Sequence, residues 1–252
     1  RDEAPEWLAA ACRSERWVLV SIDYRLAPES KLPTVMEDLE DAFGWVSTDG
    51  SALGVAAGGV AAIGESAGGY LALAAGFRVR PRVAAVVSLW GYGDLTGDWY
   101  TSPSPHPCHH VVTVATDEAY RQVSGPPIAD DRERTGDGWA FYQFCRQQGI
   151  WPAAVSGWDP ARDAKRFRDF EPVANVTPEY PPTLLVHGEA DTDVPHDRSE
   201  LMAEELDRNR VEHRLLSVPG AEHGLDGADQ VTIDEMHDQV IAFLRDHLVR
   251  TR

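Results

Sequence analysis

Residues 61–70 read AAIGESAGGY, from Ala61 to Tyr70, and the way this run joins a strand to a helix decides the fold. The apolar GVAAIG (59–64) leads in and the helix-like YLALAAGF (70–77) leads out. Gly64, Glu65, Ser66, Ala67 and Gly68 spell G-x-S-x-G. Glycine weakens strands and helices alike, so glycines on both sides of one serine point to a sharp turn in which backbones approach closely. Such a turn pushes the central side chain outward in a strained conformation, and the following helix aims free N–H groups back at it. That arrangement suits a serine that attacks a carbonyl. A glycine-rich strand–helix turn without chemistry has the same spelling, so the rest of the chain decides between them.

Apolar runs and helical patterns alternate on either side. Trp17–Tyr24 (WVLVSIDY), Val60–Gly64, Val83–Leu89 (VAAVVSL), Thr183–His187 (TLLVH) and Glu212–Val218 read as strands. Ala4–Cys12 reads as the middle of a helix. Thr34–Val46 reads as a helix with Thr34 and Glu37 as a capping box, Arg198–Arg208 as a charged helix, and Thr232–Leu248 as a closing helix with Thr232 and Glu235 as its box. Continuous apolar strands separated by helices imply a mostly parallel sheet with helices on both faces, whose function sits at the carboxyl ends of the strands.

Between about Leu95 and Thr177 the alternation stops and Pro, Gly and aromatics dominate, including Trp99, Trp139, Trp151 and Trp158. A structureless loop of that length is improbable, so residues 95–177 are expected to form a partly helical cap on a core made of residues 1–94 and 178–252. The clearest helix of the cap is expected at Gly136–Gln148, with Trp139, Tyr142 and Phe144 or Cys145 as its buried side.

The bulk numbers narrow the function. The 252 residues are 43% hydrophobic and 25% charged, ordinary for a globular α/β protein. No apolar run approaches the roughly 20 residues of a membrane span. A net charge of −18, from 23 basic and 41 acidic side chains, argues against nucleic acid or anionic membrane as partners. Cys12, Cys108 and Cys145 are too few and too scattered for a disulfide scaffold, which makes a reduced, cytoplasmic protein the default expectation. The run His106-Pro-Cys-His-His110 carries zinc-ligand types, but they are crowded and no second ligand cluster follows, so neither metal nor cofactor is expected.

A serine nucleophile needs a base and a group that orients the base. Of nine histidines, His223 alone sits in a loop of small residues beyond the last strand, in Pro219-Gly-Ala-Glu-His223-Gly224. The acid candidates are Asp191, just past the TLLVH strand, and its rival Asp193; Asp191 is preferred as the nearer to the strand end. Glu65, Trp90 and Tyr92, at or just past strand ends, are candidates to line a substrate pocket, and the Ala67 N–H is a candidate oxyanion donor.

Four segments carry a family resemblance: SIDYRLAPESKLPTVMEDLEDAFGWV (21–46), IGESAGG (63–69), HGEADTDVP (187–195) and PGAEHG (219–224). In order and spacing the chain resembles an α/β-hydrolase of the hormone-sensitive-lipase-like carboxylesterase group. The resemblance implies the triad order Ser66, Asp191, His223, a small-molecule ester substrate and a structural role for Asp23, Arg25 and Pro28. It also implies an HGG-type loop and strands preceding Arg1, one of them between Trp17–Tyr24 and Val60–Gly64. Residues 1–252 alone are therefore expected to hold an open slot there and to be unstable, with an upstream-extended chain expected to be soluble and active. An amidase or peptidase of the same fold, or a non-catalytic ligand-binding member, remain as alternatives, and the sequence leaves the oligomeric state open.

Overall fold

The computed structural model describes residues 4–54, 59–136 and 138–248. Its centre is a parallel sheet of four strands among the described residues, in the order β1 (Ala61–Glu65), β2 (Ala85–Leu89), β3 (Thr183–Gly188) and β4 (His213–Val218). The register runs Ile63 to Val87, Val87 to Leu184 and Leu185 to Leu215, so every strand ends its carboxyl edge on the same side. These are the apolar runs read from the sequence: β1, β2 and β4 start one or two residues later than expected, β3 starts at Thr183 as expected, and β1 and β3 each run one residue further.

Side chains of alternate residues serve the two faces. Ala62, Val86 and Leu185 pack against helices α2 (Leu32–Asp49), α3 (Ala67–Arg78) and α9 (Asp197–Arg208), whose Met36, Leu39, Leu73, Met202 and Leu206 are buried. Ala85, Val87, Leu184 and Val186 face the other way, onto Val240, Phe243 and Leu244 of α10 (Gln230–His247). Trp7 of α1 (Glu6–Glu15) joins that second layer. Burial on both faces is the reason the strands read as continuous hydrophobic runs.

Helix starts differ from the expected capping boxes. Helix α2 begins at Leu32 with Pro33 in its first turn and no side-chain cap; the fixed φ of proline suits a helix start and takes over the role assigned to Thr34 and Glu37. In α10 the cap is Asp229, whose carboxylate accepts the Thr232 N–H at 2.8 Å.

The segment Trp17–Tyr24 is not a strand of this sheet. It pairs with no strand among the described residues, and Val18 and Val20 are 48% and 37% exposed. A cavity of about 440 Å³ lies between it and β1, lined by Trp17, Leu19 and Ser21 on one side and Ala61, Ile63 and Gly64 on the other. Ladder bonding needs backbones about 4.8 Å apart, which a cavity of that size prevents. The cavity lies between the two segments where the sequence reading expects a slot.

An insertion between β2 and β3 is helical throughout its regular parts: α4 (Asp98–Thr101), α5 (Thr116–Arg121), α6 (Trp139–Gln148), α7 (Trp151–Ser156) and α8 (Ala164–Arg168). Phe141, Phe144 and Cys145 of α6 pack with Val114, Ala119 and Val123 in a cluster of their own. Trp139, expected on the buried side, is 57% exposed as the first residue of α6. Tyr100 and Phe167 tie the insertion into the main core. A buried ion pair does the same, Arg134 Nη2 lying 2.7 Å from Glu29 Oε2. Among the described residues no helix is long and apolar enough to cross a membrane.

Candidate active site

Three strand ends build the site. Ser66 stands between β1 and α3 with φ 52° and ψ −116°, a strained backbone held by its N–H donating to the Leu89 carbonyl at 2.9 Å. The tight turn has one steric requirement inside the motif: a Cβ on Gly64 would lie 2.2 Å from the Gly68 carbonyl oxygen. A Cβ on Gly68 would meet nothing within 4 Å, whereas one on Gly69, outside the motif, would lie 2.9 Å from Gly91 Cα and from Ser88 Oγ. The close approach expected of the motif is thus between Gly64 and the Gly68 backbone, and a second one, of Gly69 on Gly91, lies outside it.

Asp191 occupies the turn after β3, and His223 the turn after β4. His223 Nε2 lies 3.0 Å from Ser66 Oγ, and His223 Nδ1 lies 2.8 Å from Asp191 Oδ2. Asp191 is buried, its Oδ1 accepting the backbone N–H groups of Asp193 at 2.9 Å and Val194 at 2.8 Å. Asp193 lies on the other side of the ring, its Oδ2 3.8 Å from His223 Nε2. The two candidate acids thus face different nitrogens, Asp191 taking Nδ1.

The electrostatics follow from these contacts. Burial opposes ionisation of Asp191, but hydrogen bonds from His187 and His223, the charge of His223 and the Val194 N–H hold its carboxyl well below the usual carboxylate range. Burial also disfavours a charged His223; the hydrogen bond to Asp191 and the charges of Asp191, Asp193 and Asp226 outweigh it and raise the imidazole above its ordinary value. Desolvation raises the Glu65 carboxyl against the pull of His223.

The other candidates divide. Ala67 opens α3, so its N–H is one of the free donors at that helix start. Trp90 presents its ring edge-on to His223, with centroids 6.5 Å apart. Glu65, at the end of β1, is open to solvent as a residue although its carboxyl is partly desolvated. Tyr92 does not line a pocket: it is 5% exposed and stacked on Tyr70, with Trp99 and Tyr100 against its edges, because an aromatic ring just past a central strand is drawn into the core beneath the site.

Several residues escaped the sequence reading. His187, wholly buried, sets Nε2 3.2 Å from Asp191 Oδ2 and Nδ1 2.7 Å from Ser199 Oγ. Glu222 reaches from the histidine loop to accept the Thr192 N–H and hydroxyl at 2.9 and 2.8 Å. Adjacency to His223 and the acid loop was the only signal of either. The crowded histidine run serves hydrogen bonding: His109 bridges Ser104 Oγ at 2.6 Å and Asp193 Oδ1 at 2.8 Å, and His110 Nε2 meets the Ser104 carbonyl. Among the described residues no three His, Cys, Asp or Glu side chains are grouped to hold a metal ion, and Cys12, Cys108 and Cys145 are free thiols.

Residues 2–226 match the family model described as the alpha/beta hydrolase fold. The chain is 27% identical over 230 residues to esterase LipC of Mycobacterium tuberculosis (strain ATCC 25618 / H37Rv), covering 86% of this chain and 47% of that one. It is 43% identical over 178 residues to esterase LipI of the same organism, covering 68% of this chain and 55% of that one. The chain thus spans about half the length of these curated relatives. The Pyrobaculum calidifontis esterase structure superposes with a TM-score of 0.62 at 28% identity, over 95% of this chain and 69% of that one.

Proposed function

We propose that this chain, which belongs to the hormone-sensitive-lipase-like carboxylesterase group of the alpha/beta hydrolase fold family, hydrolyses small-molecule carboxylic esters through an acyl-enzyme on Ser66. The observation that carries the reading is the unbroken contact series Ser66 Oγ–His223 Nε2–His223 Nδ1–Asp191 Oδ2, at 3.0 and 2.8 Å.

In this mechanism Ser66 Oγ attacks the acyl carbonyl while His223 Nε2 takes its proton. Asp191 accepts the Nδ1–H, which fixes the tautomer and stabilises the imidazolium. The Ala67 N–H donates to the developing oxyanion, a contribution of about 2.7–4 kcal/mol to the barrier for a donor of this type. His223 returns the proton to the leaving alkoxide, then activates water to release the acid. The inserted residues 95–177 act as the cap that shapes the acyl and alcohol sites. Trp90 and Glu65, at the rim of the serine turn, contact the substrate.

The test is labelling by a fluorophosphonate together with hydrolysis of a panel of nitrophenyl esters and amides. Labelling confined to Ser66, and turnover that disappears in Ser66→Ala and His223→Ala with the fold retained, support the reading. Full esterase activity in Ser66→Ala sinks it, and faster amide than ester cleavage moves the assignment to an amidase.

A further inference from the structure

Asp193 makes contacts that the proposed triad does not use. Its Oδ1 accepts the Tyr142 hydroxyl of α6 and a hydrogen bond from His109 Nε2 at 2.8 Å. His109 is itself fixed, 1% exposed, by Ser104 Oγ on Nδ1 and by Gln147, whose side-chain N–H donates to its carbonyl at 2.8 Å. Both donors belong to the insertion, whereas Asp193 belongs to the acid loop of the core. The backbone N–H of Asp193 in turn donates to Asp191 Oδ1. One carboxylate thus joins the cap, the acid loop and, through Oδ2 at 3.8 Å from Nε2, the ring of His223.

We infer that Asp193 is a positioning residue: with Oδ1 clamped by Tyr142 and His109, its Oδ2 is held beside His223 Nε2, near enough to favour the imidazolium and too far to capture its proton. At 3.8 Å the pair is outside hydrogen-bond range but inside the range where an opposite charge favours the ionised form. Nε2 must carry the serine proton and deliver it to the leaving group, so a carboxylate bonded directly to it would hold the proton back. The two cap donors prevent that. The inference rests on the acyl-enzyme reading for its consequence in catalysis, though not for the coupling itself.

Other charged groups act on the same ring: Asp191 and Asp226 raise its proton affinity with Asp193, and Glu65 faces it from the end of β1. Asp193 is faced by His109, Tyr142, His223 and, at longer range, Arg146 of α6. The Asp193 variants therefore need a readout specific to His223.

That readout is the NMR titration of the His223 ring in the full chain, assigned by its loss in His223→Gln, beside the acid limb of kcat for nitrophenyl acetate. Asp193→Asn should lower the His223 midpoint by about one pH unit, as expected for loss of one opposite charge at this distance. Tyr142→Phe should raise it, because a carboxylate with one donor fewer can turn onto Nε2, and kcat should fall. A midpoint that stays put in both variants, whatever happens to kcat or melting temperature, reduces Asp193 to a structural tether and overturns the inference. Should Asp193→Asn fail to fold, Tyr142→Phe decides alone: a rise supports the coupling, no change overturns it. The ring titration needs no turnover. Midpoint shifts in a protein without fluorophosphonate labelling therefore keep the coupling and reject the esterase reading, and normal hydrolysis with unmoved midpoints does the reverse.

Discussion

His187 and His223 share one oxygen of Asp191: Nε2 of the first lies 3.2 Å, and Nδ1 of the second 2.8 Å, from Oδ2. With two backbone donors on Oδ1, the carboxylate is held on all sides, and Ser199 extends the chain of contacts into α9 through His187 Nδ1 at 2.7 Å. The acid is therefore fixed by the core of the fold and not by its loop alone.

Asp191→Asn keeps the shape and removes the charge. The amide can present an N–H to Nδ1 and so favour the wrong tautomer, and kcat for a nitrophenyl ester is expected to fall about 10⁴-fold. Circular dichroism should show the fold retained; a loss below tenfold would mean that Asp191 does not orient His223.

His187→Ala removes a fully buried ring and leaves the Ser199 hydroxyl without its partner. Urea denaturation should show a loss of about 1–3 kcal/mol for the unpaired group, more if the cavity fails to collapse. The fall in kcat should be smaller than for Asp191→Asn, because three other donors to Asp191 remain.

The pH dependences have opposite signs. The depressed Asp191 carboxyl contributes stability that is complete above its unfolded value near pH 3.9 and is lost as pH falls further, through the folded value. The raised His223 contributes stability that is complete below its unfolded value of about 6.5 and is lost as pH rises through the folded one. The proposed mechanism needs His223 neutral, so it predicts an acid limb of kcat/KM with its midpoint above about 6.5. A midpoint below that value in wild-type protein would contradict the raised imidazole.

Gly64→Ala and Gly68→Ala separate the two glycines of the motif. The first drives a Cβ into the Gly68 backbone at 2.2 Å, and the second meets nothing within 4 Å. Chemical denaturation should show Gly64→Ala destabilised by about 1–3 kcal/mol or more, as for overpacking, and Gly68→Ala close to wild type, since alanine also favours the helix.

Glu29→Ala strands the Arg134 guanidinium, whose partner carboxylate is 1% exposed. Removing one member of a buried pair costs about 3–5 kcal/mol. The effect should be a lower melting temperature together with faster proteolysis within residues 95–177. Unchanged proteolysis would show that the pair does not anchor the insertion.

The parts of this protein legible in its sequence are those decided over short stretches. G-x-S-x-G announced a strained serine turn because only Gly64 permits the strand to pass so close to the helix. The four paired strands stood out because burial on both faces demands unbroken apolar runs. Ser66, Asp191 and His223 stood out as candidates because each follows its own run, and their side chains do meet. What tertiary structure alone decided are relations between distant atoms. WVLVSIDY is as apolar as a paired strand, yet a ladder depends on a neighbour at bonding distance, and among the described residues there is none across the 440 Å³ cavity. Asp191 and Asp193 are two residues apart and chemically identical, and only the approach of His223 from another strand gives one of them Nδ1 and leaves the other beside Nε2. Tyr92 reads the same whether it lines a pocket or fills the core, and packing against Tyr70 settles which. Local sequence specifies local backbone; pairing, packing and the facing of charges arise where segments far apart in the chain meet.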